Sequence, residues 1–137
     1  MERSPLVELL AAIDKLDGEA AMALCAPDCT FMTADGRHAE GHPAVTSLLN
    51  DFLSALRSTS HQITAQWHQG DTWIAETLAS YELRDRLRIE QLRRAFFVRA
   101  GPEGIRDVRA YGANERQLTD RSDTEPLRIG GRPILPL

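Results

Sequence analysis

Two cysteines and two histidines in the first third of the chain have the residue types of a zinc site. Cys25 and Cys29 are followed by His38 and His42, and thiolate and imidazole are ligands that zinc prefers. The gap between the two pairs is shorter than in the usual zinc fingers, and the stretch between them has the pattern of a strand. We therefore expect no metal, reduced cysteines that pack in the core, and histidines that lie in loops.

Asp35 and Tyr81 are the side chains best suited to acid–base chemistry on a small molecule. A buried Asp35 could act as a general base, and Tyr81 could donate a hydrogen bond to a carbonyl oxygen. Both have ordinary alternatives, because Asp35-Gly36 is a turn signal and buried tyrosines usually satisfy their hydroxyl locally. His61 and His68 fall on opposite faces of one predicted strand, so we do not expect them to act together.

Apolar periodicity indicates the elements that must position these side chains. Three helices are predicted: one starts at Ser4-Pro5, a short one spans Glu19 to Cys25, and one begins at Gly41-His42-Pro43 and ends at Ser58–Ser60. Period-two alternation predicts strands over Cys29–Ala34, His61–Gln69, Asp71–Arg84, Leu87–Ala100 and Ile105–Gly112. Helices segregated from an antiparallel sheet define the α+β class, and helices on its concave face make a cone with a pocket.

Length and composition fit one soluble globular domain. The chain has 137 residues and a net charge of −4, which argues against nucleic-acid binding. We find no membrane-spanning run and no signal peptide, and we expect a cytoplasmic protein. Lys15 is the only lysine beside many arginines, a bias typical of a GC-rich bacterial genome.

The character of the chain changes after residue 115. We predict a domain over residues 1–115 and a C-terminal tail over residues 116–137, either mobile or docked. In the docked alternative, the apolar side chains of the tail lie on a neighbour or across the pocket mouth; these are Ile129, Ile134, Leu135 and Leu137.

Several stretches resemble the nuclear transport factor 2-like superfamily, and within it the SnoaL-like group. They are Asp17–Asp28, Asp35-Gly36 with Gly41–Val45, Gly70-Asp71 with Glu76–Tyr81, and Gly104–Tyr111. The resemblance covers roughly residues 5 to 115 and implies a cone-shaped fold, an interior cavity and often a dimer formed through the sheet. It does not imply one activity, because the superfamily includes isomerases, cyclases, epoxide hydrolases, dehydratases and proteins without chemistry.

The catalytic residues of two groups in that superfamily have no counterpart in this sequence. The base, the oxyanion-hole tyrosine and the protonated aspartate of the ketosteroid isomerases correspond to Thr33, Leu9 and Ala95. The arginine and two aspartates of the limonene epoxide hydrolases correspond to Thr77, Ala79 and Ala110. Neither chemistry is therefore expected.

The predicted interior combines aromatic and small residues with a few polar groups. Strand alternation and the resemblance together predict a ligand-binding set of Phe31, Thr33, Trp67, Trp73, Thr77, Arg93, Phe97 and Val108, with Asp35 and Tyr81 as candidate catalytic residues. We predict a protein that binds an apolar or polycyclic small molecule without a cofactor; the alternative is a cyclase- or isomerase-type enzyme that does acid–base chemistry in the same cavity. A homodimer is expected through the outer face of the sheet, at Ile74, Leu78, Leu92, Phe96 and Val98.

Overall fold

A computed structural model of the chain describes residues 3–112 and two short strands at 128–129 and 132–133. The helices are α1 (Pro5–Asp14), α2 (Gly18–Ala23) and α3 (His42–Ser54). The strands are β1 (Cys25–Met32), β2 (His38–Glu40), β3 (Leu56–Gln69), β4 (Thr72–Leu83), β5 (Arg88–Gly101), β6 (Gly104–Gly112), β7 (Arg128–Ile129) and β8 (Arg132–Pro133). The predicted α+β class is confirmed. The predicted boundary at residue 115 and the alternatives for the tail lie outside the described residues, apart from the antiparallel pair β7–β8.

The helices form where caps and apolar stripes predict them. Ser4 caps α1, since its Oγ accepts from the Val7 N–H at 3.2 Å, and Pro5 occupies the first turn. Asp17 caps α2 in the same way, with its Oδ1 3.0 Å from the Ala20 nitrogen. The buried side chains of α1 and α3 are Leu6, Leu9, Leu10, Ala12, Ile13, Val45, Leu49, Phe52 and Leu53.

The predicted end of the third helix at Ser58–Ser60 is wrong. The helix ends at Ser54, and β3 already begins at Leu56. Ser58, Thr59 and Ser60 pair with residues 80–82 of β4. Backbone pairing in the sheet therefore outweighs the turn preference of these hydroxyl residues.

The strands form one six-stranded mixed sheet in the order β2-β1-β6-β5-β4-β3. The predicted antiparallel meander is β3 to β6, and β1 joins it by pairing parallel to β6. The sequence did not reveal β2, a three-residue edge strand that pairs with the end of β1. It also placed the start of β1 at Cys29 rather than Cys25, because Pro27 obscures a strand whose register shifts between Cys25 and Thr30.

Two β-bulges decide which side chains face the helices. In β3, Thr64 is an extra residue between the pairs Ile63–Thr77 and Ala65–Glu76. In β5, Glu90 and Gln91 face only Ser80 of β4, and Gln91 has a φ of 55°. Each bulge inserts one residue, so all side chains beyond it exchange faces.

The bulges overturn part of the predicted interior. Trp67, Arg93 and Phe97 were expected to point inward, but they lie on the outer face: Trp67 pairs with Ile74, Ile74 with Phe97, and Arg93 with Leu78. The inner positions of β5 belong to Leu92, Arg94, Phe96 and Val98, all buried. The sequence had placed Leu92, Phe96 and Val98 in an outer dimer surface. Because they lie on the inner face, they cannot contribute to that surface.

The helices cover the inner face and enclose the core. Helix α1 lies on β3, β4 and β5, helix α3 lies on β1 and β2, and α2 packs between the two helices. In the part of the chain that the structure describes, no helix is long and apolar enough to cross a bilayer. The result is a cone whose inner surface is formed by alternate residues of β1 and β3 to β6.

Candidate functional site

The most specific polar contact inside the cone joins Asp14 to His61. Asp14 is the last residue of α1, and its Oδ1 lies 2.6 Å from His61 Nδ1 while its Oδ2 accepts the His61 backbone N–H at 3.0 Å. The His61 side chain is 1% exposed and the Asp14 side chain 25% exposed. The carboxylate thus holds both the ring and the backbone of His61 in place.

This contact determines which nitrogen of His61 is available. A carboxylate only accepts hydrogen bonds, so His61 Nδ1 carries the proton that it shares with Asp14. In the neutral ring the lone pair therefore lies on Nε2. Nε2 is buried and has no hydrogen-bond partner among the described residues. The arrangement is that of an oriented general base whose reactive atom faces the interior.

Two hydroxyl groups lie next to His61 on the inner face. Thr59 precedes it by two residues in β3, and Tyr81 of β4 is the direct cross-strand partner of Thr59. The Tyr81 ring packs edge-on against Phe52 at 5.6 Å and against His61 at 6.2 Å between ring centroids. Like Nε2, Thr59 Oγ1 and the Tyr81 hydroxyl are buried without a hydrogen-bond partner in the described part of the chain.

Tyr81 remains a hydroxyl donor over the physiological pH range. Burial raises the pKa of Tyr81 far above its usual value, the Arg94 guanidinium opposes that rise, and the Asp14 carboxylate adds to it. Burial dominates because a phenolate is poorly solvated inside the protein.

Arg94 brings a positive charge into the same interior. It is 1% exposed, lies opposite Thr77 of β4 and Gly112 of β6, and donates from Nη1 to the Arg93 carbonyl oxygen at 3.1 Å. Gly112 has a φ of 147°, and a Cβ there would lie 2.3 Å from the Arg93 oxygen and 2.9 Å from Arg94 Nη1. Gly112 thus provides the space that the guanidinium occupies.

The unpartnered atoms are unusual for a folded protein. Each buried polar atom without a partner costs about 1–3 kcal/mol relative to its hydrated state. Native structures contain few such atoms, and those that persist call for a functional or structural reason. A ligand that bonded to Thr59 Oγ1, His61 Nε2 and the Tyr81 hydroxyl together would supply that reason.

The predicted inward orientation is confirmed for the candidate residues that lie on β1, β4 and β6. Phe31 pairs with Val108 and Trp73 with Val98, so all four share the inner face. Thr33, Thr77 and Tyr81 are buried as expected. Trp73 also stacks on His68 at 4.2 Å, at the end of the cone far from His61. A ligand-binding role for these residues stays a prediction.

Asp35 lies in the turn between β1 and β2. The Thr33 hydroxyl donates to its carboxylate, and Arg37 Nε lies 3.3 Å from both carboxylate oxygens. The backbone of Thr33 and Arg37 closes the same turn. A catalytic role for Asp35 stays a prediction, and these bonds favour the alternative that Asp35 shapes the turn.

Trp67, Arg93 and Phe97 belong to the outer face. Phe97 lines a cleft of about 500 Å³ with Thr72, Arg99, Asp107, Arg109 and Tyr111, and a second cleft of about 270 Å³ adjoins it around Asp28 and Asp71. Both clefts are rich in charge, and Asp107 accepts bonds from Thr30 and from Arg109 Nε, the latter at 2.9 Å. Trp67, Arg93 and Phe97 therefore cannot contribute to a site inside the cone.

The cysteine–histidine set does not form a metal site. Cys25 and Cys29 are free and buried, and burial together with the neighbouring Cys29 thiol raises the pKa of Cys25 to about 12. The expectation of a loop is wrong for His38, which starts β2. His42 starts α3, in agreement with the predicted helix start at Gly41-His42-Pro43, and its Nε2 lies 3.0 Å from the Met22 oxygen. Within the described residues, no group of three potential ligands could hold a metal ion.

Sequence reasoning missed Asp14, Thr59, His61 and Arg94. Asp14 and His61 are 47 residues apart, and the bulge at Thr64 places His68 on the inner face as well, contrary to expectation. One signal was present: an aspartate at the C-terminal end of a helix faces the negative end of the helix dipole. Such an unfavourable position suggests that Asp14 forms a contact with a residue elsewhere in the fold.

Comparisons with known proteins agree with this architecture. A sequence profile of the SnoaL-like domain matches residues 6–106. No curated protein matches the chain.

Solved structures extend the likeness at low sequence identity. One is a hypothetical protein with a ketosteroid isomerase-like fold from Catenulispora acidiphila in complex with trimethylamine, at 17% identity and a TM-score of 0.74, covering 84% of this chain and 89% of that one. A candidate SnoaL-like polyketide cyclase from Shewanella denitrificans has 8% identity and a TM-score of 0.72, with 80% and 88% coverage. An LEH-like epoxide hydrolase from M. tuberculosis has 16% identity and a TM-score of 0.69, with 80% coverage of each chain. At these identities the likeness establishes the fold alone.

Proposed function

The chain belongs to the SnoaL-like domain family, and we propose that it binds a small, largely apolar molecule inside the cone and transfers a proton to or from it through His61. Asp14 orients His61 in this reaction and stabilises the imidazolium that forms when Nε2 takes up a proton. The observation that carries the proposal is the 2.6 Å contact between Asp14 and His61 beneath a buried, unpartnered Nε2.

The surroundings of His61 fit an apolar ligand. Phe96 packs edge-on against His61 at 5.5 Å, and Phe52 and Tyr81 line the same region. A largely apolar lining with a few convergent polar groups is typical of small-molecule sites. Low dielectric also strengthens the interaction between Asp14 and a charged His61.

Binding without chemistry is the second candidate. It is favoured because the positions that correspond to the catalytic groups of related enzymes hold residues that lack those groups. These residues are Thr33, Thr77, Ala79, Ala95 and Ala110. The Asp14–His61 pair favours the enzyme, because a binding module has no need of an oriented base. We therefore place the enzyme first.

The substitution Asp14→Asn tests the proposal with little change in shape. The amide can keep one oxygen on the His61 backbone N–H, but its NH₂ group donates to Nδ1 and moves the ring proton to Nε2. Nε2 then carries the proton and can no longer accept one from a ligand, because the ring lone pair lies on Nδ1. The enzyme proposal predicts that catalysed proton exchange of a bound ketone falls by about 10²–10⁴-fold, while ligand binding persists.

Ligand binding itself is read from the His61 ring signal. β-Tetralone or β-naphthol bound inside the cone is expected to shift the Hε1 resonance of His61 in a ¹H–¹³C spectrum. A probe that raises the melting temperature without moving this resonance binds elsewhere and contradicts the proposed site. Equal exchange rates for wild type and Asp14→Asn would contradict the catalytic part and favour the binding module.

We also propose a homodimer through the outer face, with surface residues that differ from those the sequence suggested. The apolar side chains on that face are Trp67, Ile74, Leu78, Phe97 and Tyr111, and Trp67 is 55% exposed. Aromatic side chains on an exposed face are typical of interfaces. A monomer by sedimentation at micromolar concentration would contradict this dimer.

The buried free thiols Cys25 and Cys29 support a reducing compartment, and with the arginine bias they favour a bacterial cytoplasm.

A further inference from the structure

We propose that the larger cleft on the outer face, at β5 and β6, binds a small aromatic molecule that carries an oxyanion, either a carboxylate or a phosphate. The ring of this ligand lies against Phe97 and Tyr111, and its oxyanion lies on Arg99. The site is outside the cone, so the inference does not rest on the proposed function. It gives the outer face a second role beside the proposed self-association.

The larger cleft has the size and lining of a small-molecule site. Its volume is about 500 Å³, within the range of roughly 300–1,000 Å³ that is usual for such sites. Phe97 packs edge-on against Tyr111 in its wall, with 5.5 Å between the ring centroids. Tyr111 is 42% exposed and Phe97 is half-buried, so both rings keep surface for a further contact. A planar aromatic ring can therefore pack against them in place of water.

A β-bulge concentrates arginines beside this aromatic wall. The register of β5 and β6 shifts after the pair Arg99–Asp107, so that Arg106 is an extra residue. Arg106 therefore shares the outer face with Asp107 instead of alternating with it. A Cβ at Gly101 would lie 3.2 Å from Arg106 Cδ, so the glycine leaves room for the arginine side chain. As a result, Arg99, Arg106 and Arg109 all line the adjoining cleft of about 270 Å³.

The charges of the larger cleft favour an anion. Its charged residues are Arg99, Arg109 and Asp107, so two guanidinium groups and one carboxylate leave one net positive charge. Asp107 already accepts from the Thr30 hydroxyl and from Arg109 Nε. Arg99 lies opposite Asp107 in the sheet but forms no ion pair within the described residues. Its donors are therefore available to a ligand, and a guanidinium matches carboxylate and phosphate in planar, bidentate geometry.

Two further carboxylates lie nearby without cancelling this charge. Asp28 and Asp71 line only the adjoining cleft, which also contains Arg106, and both are exposed. Asp71 also accepts from the Thr72 hydroxyl at 3.0 Å. An oxyanion on Arg99 contacts the guanidinium directly, whereas its repulsion by these exposed carboxylates acts through screening water.

Arg109 is held in a fixed orientation beside the aromatic wall. Its guanidinium donates hydrogen bonds to the Tyr111 oxygen and to the Asp107 carboxylate, and both bonds raise the pKa of Arg109. A planar cation in a fixed position can stack on the ring of a ligand. Because Arg109 is ordered before the ligand arrives, less conformational entropy is lost on binding.

Calorimetric titration of the full chain tests the ligand class. The probes are β-naphthoate and β-naphthyl phosphate, with β-naphthamide as a neutral ligand of similar shape. At least one anion is expected to bind about tenfold more tightly than the amide, because the amide lacks the charge that Arg99 binds. The tighter of the two anions identifies the oxyanion as carboxylate or phosphate. Equal affinity of all three probes, or no binding of either anion, would overturn the inference.

A pair of arginine variants tests the residue. Arg99→Gln is expected to weaken binding of the tighter anion about tenfold. Arg57→Gln is the matched control, an exposed arginine of β3 near the opposite end of the sheet, and it is expected to leave the affinity unchanged. Both side chains are exposed, so neither change should disturb folding. Equal affinities of the two variants would reduce the binding to nonspecific attraction and overturn the site.

Aromatic ring signals show where the anion binds. A ligand in the outer cleft is expected to shift the ring resonances of Tyr111 in a ¹H–¹³C spectrum and to leave those of Tyr81 and His61 in place. Shifts at Tyr81 and His61 alone would place the anion inside the cone. That result would overturn the outer site and leave the proposed function intact.

The proposed dimer and the ligand compete for Phe97 and Tyr111. The apparent affinity for the anion is therefore expected to fall as the protein concentration rises. Equal affinity at low and high concentration would support an open cleft and contradict an interface that covers these rings. Lack of binding overturns the inference when it is measured at a protein concentration at which sedimentation shows a monomer.

Discussion

The polar groups on the inner and outer faces of the six-stranded sheet differ in burial and in hydrogen bonding. On the inner face, Thr59, His61 and Tyr81 keep polar atoms that are buried and unpartnered within the described residues. On the outer face, Asp107 is bonded to both Thr30 and Arg109, and neighbouring charged groups lie open to water. Both faces belong to the same strands, so the difference arises from burial and not from secondary structure.

The comparison shows where the fold gives up stability. Buried polar atoms without partners lower the free energy of unfolding, and water removes that cost on an exposed face. A protein that keeps such atoms on one face only has a reason specific to that face. The inner face therefore supports the proposed chemistry, and the outer face, with its aromatic side chains and paired charges, supports the proposed dimer.

The first prediction uses adjacent phenylalanines on β5. Phe96 is buried on the inner face and contacts His61, whereas Phe97 is half-buried on the outer face against Tyr111. Phe96→Ala is expected to lower the free energy of unfolding by roughly 3–5 kcal/mol, because it leaves a cavity in the core. Phe97→Ala is expected to lower it by about 1 kcal/mol when measured by urea unfolding at low protein concentration.

The reverse order of these two effects would show that the bulge at Gln91 does not set the face of the strand. The orientation of β5 would then be the one that strand alternation and the resemblance together predict, with Phe97 on the inner face. Equal effects would mean that the outer face is as tightly packed as the core, as in an obligate dimer.

The second prediction compares a carboxylate on each face. Asp14→Ala leaves His61 Nδ1 and the His61 backbone N–H without their acceptor, and we expect a loss of roughly 1–3 kcal/mol. Asp107→Ala breaks a contact to an Arg109 side chain that is 51% exposed, and we expect about 0–1 kcal/mol. Thermal melts at two salt concentrations check both values, since salt should affect only the outer pair. A strong salt dependence of the effect of Asp14→Ala would contradict a contact that the buried His61 ring shields from solvent.

The smallest effect is expected at Trp67. Trp67→Thr replaces one residue of high strand propensity by another on the exposed part of β3, so the free energy of unfolding of the monomer should change by no more than about 0.5 kcal/mol. Self-association should weaken by at least about 1 kcal/mol if the ring lies at the centre of the proposed interface. Sedimentation equilibrium measures this directly. Unchanged association would place the interface away from Trp67, and lost stability would place the ring in the core.

Local patterns in the sequence were sufficient for most of the architecture. The start signal at Ser4-Pro5 and the apolar stripes predicted the helices, and the two alternating runs Leu87–Ala100 and Ile105–Gly112 predicted the strands of the β5–β6 hairpin. These signals act over a few residues, so they can be read without the rest of the fold. Inward positions on β4 and β6, such as Thr77 and Val108, followed from regular alternation.

The site could not be predicted in the same way because it depends on tertiary contacts and on bulges. Thr64 and Gln91 are ordinary strand residues by type, and neither is a glycine that would mark an irregularity. The contact between Asp14 and His61 forms only when α1 lies on β3. Arg94 lies in an arginine-rich stretch, where residue type alone favours an exposed side chain, although the fold buries it.

The two bulges also have a consequence for how such proteins diverge. Deletion of Thr64 would bring Ala65 and Trp67 to the interior and expose Gln66 and His68, without any change in residue identities beyond that point. A single deleted codon could thus exchange the lining of half a strand in one evolutionary step. An alignment of two chains that differ by such a deletion pairs a residue of the inner face with a residue of the outer face. Ala95 lies outside the cone, whereas Arg94 beside it lies inside. For this fold, homologous positions are better defined by the face they occupy than by their order in an alignment.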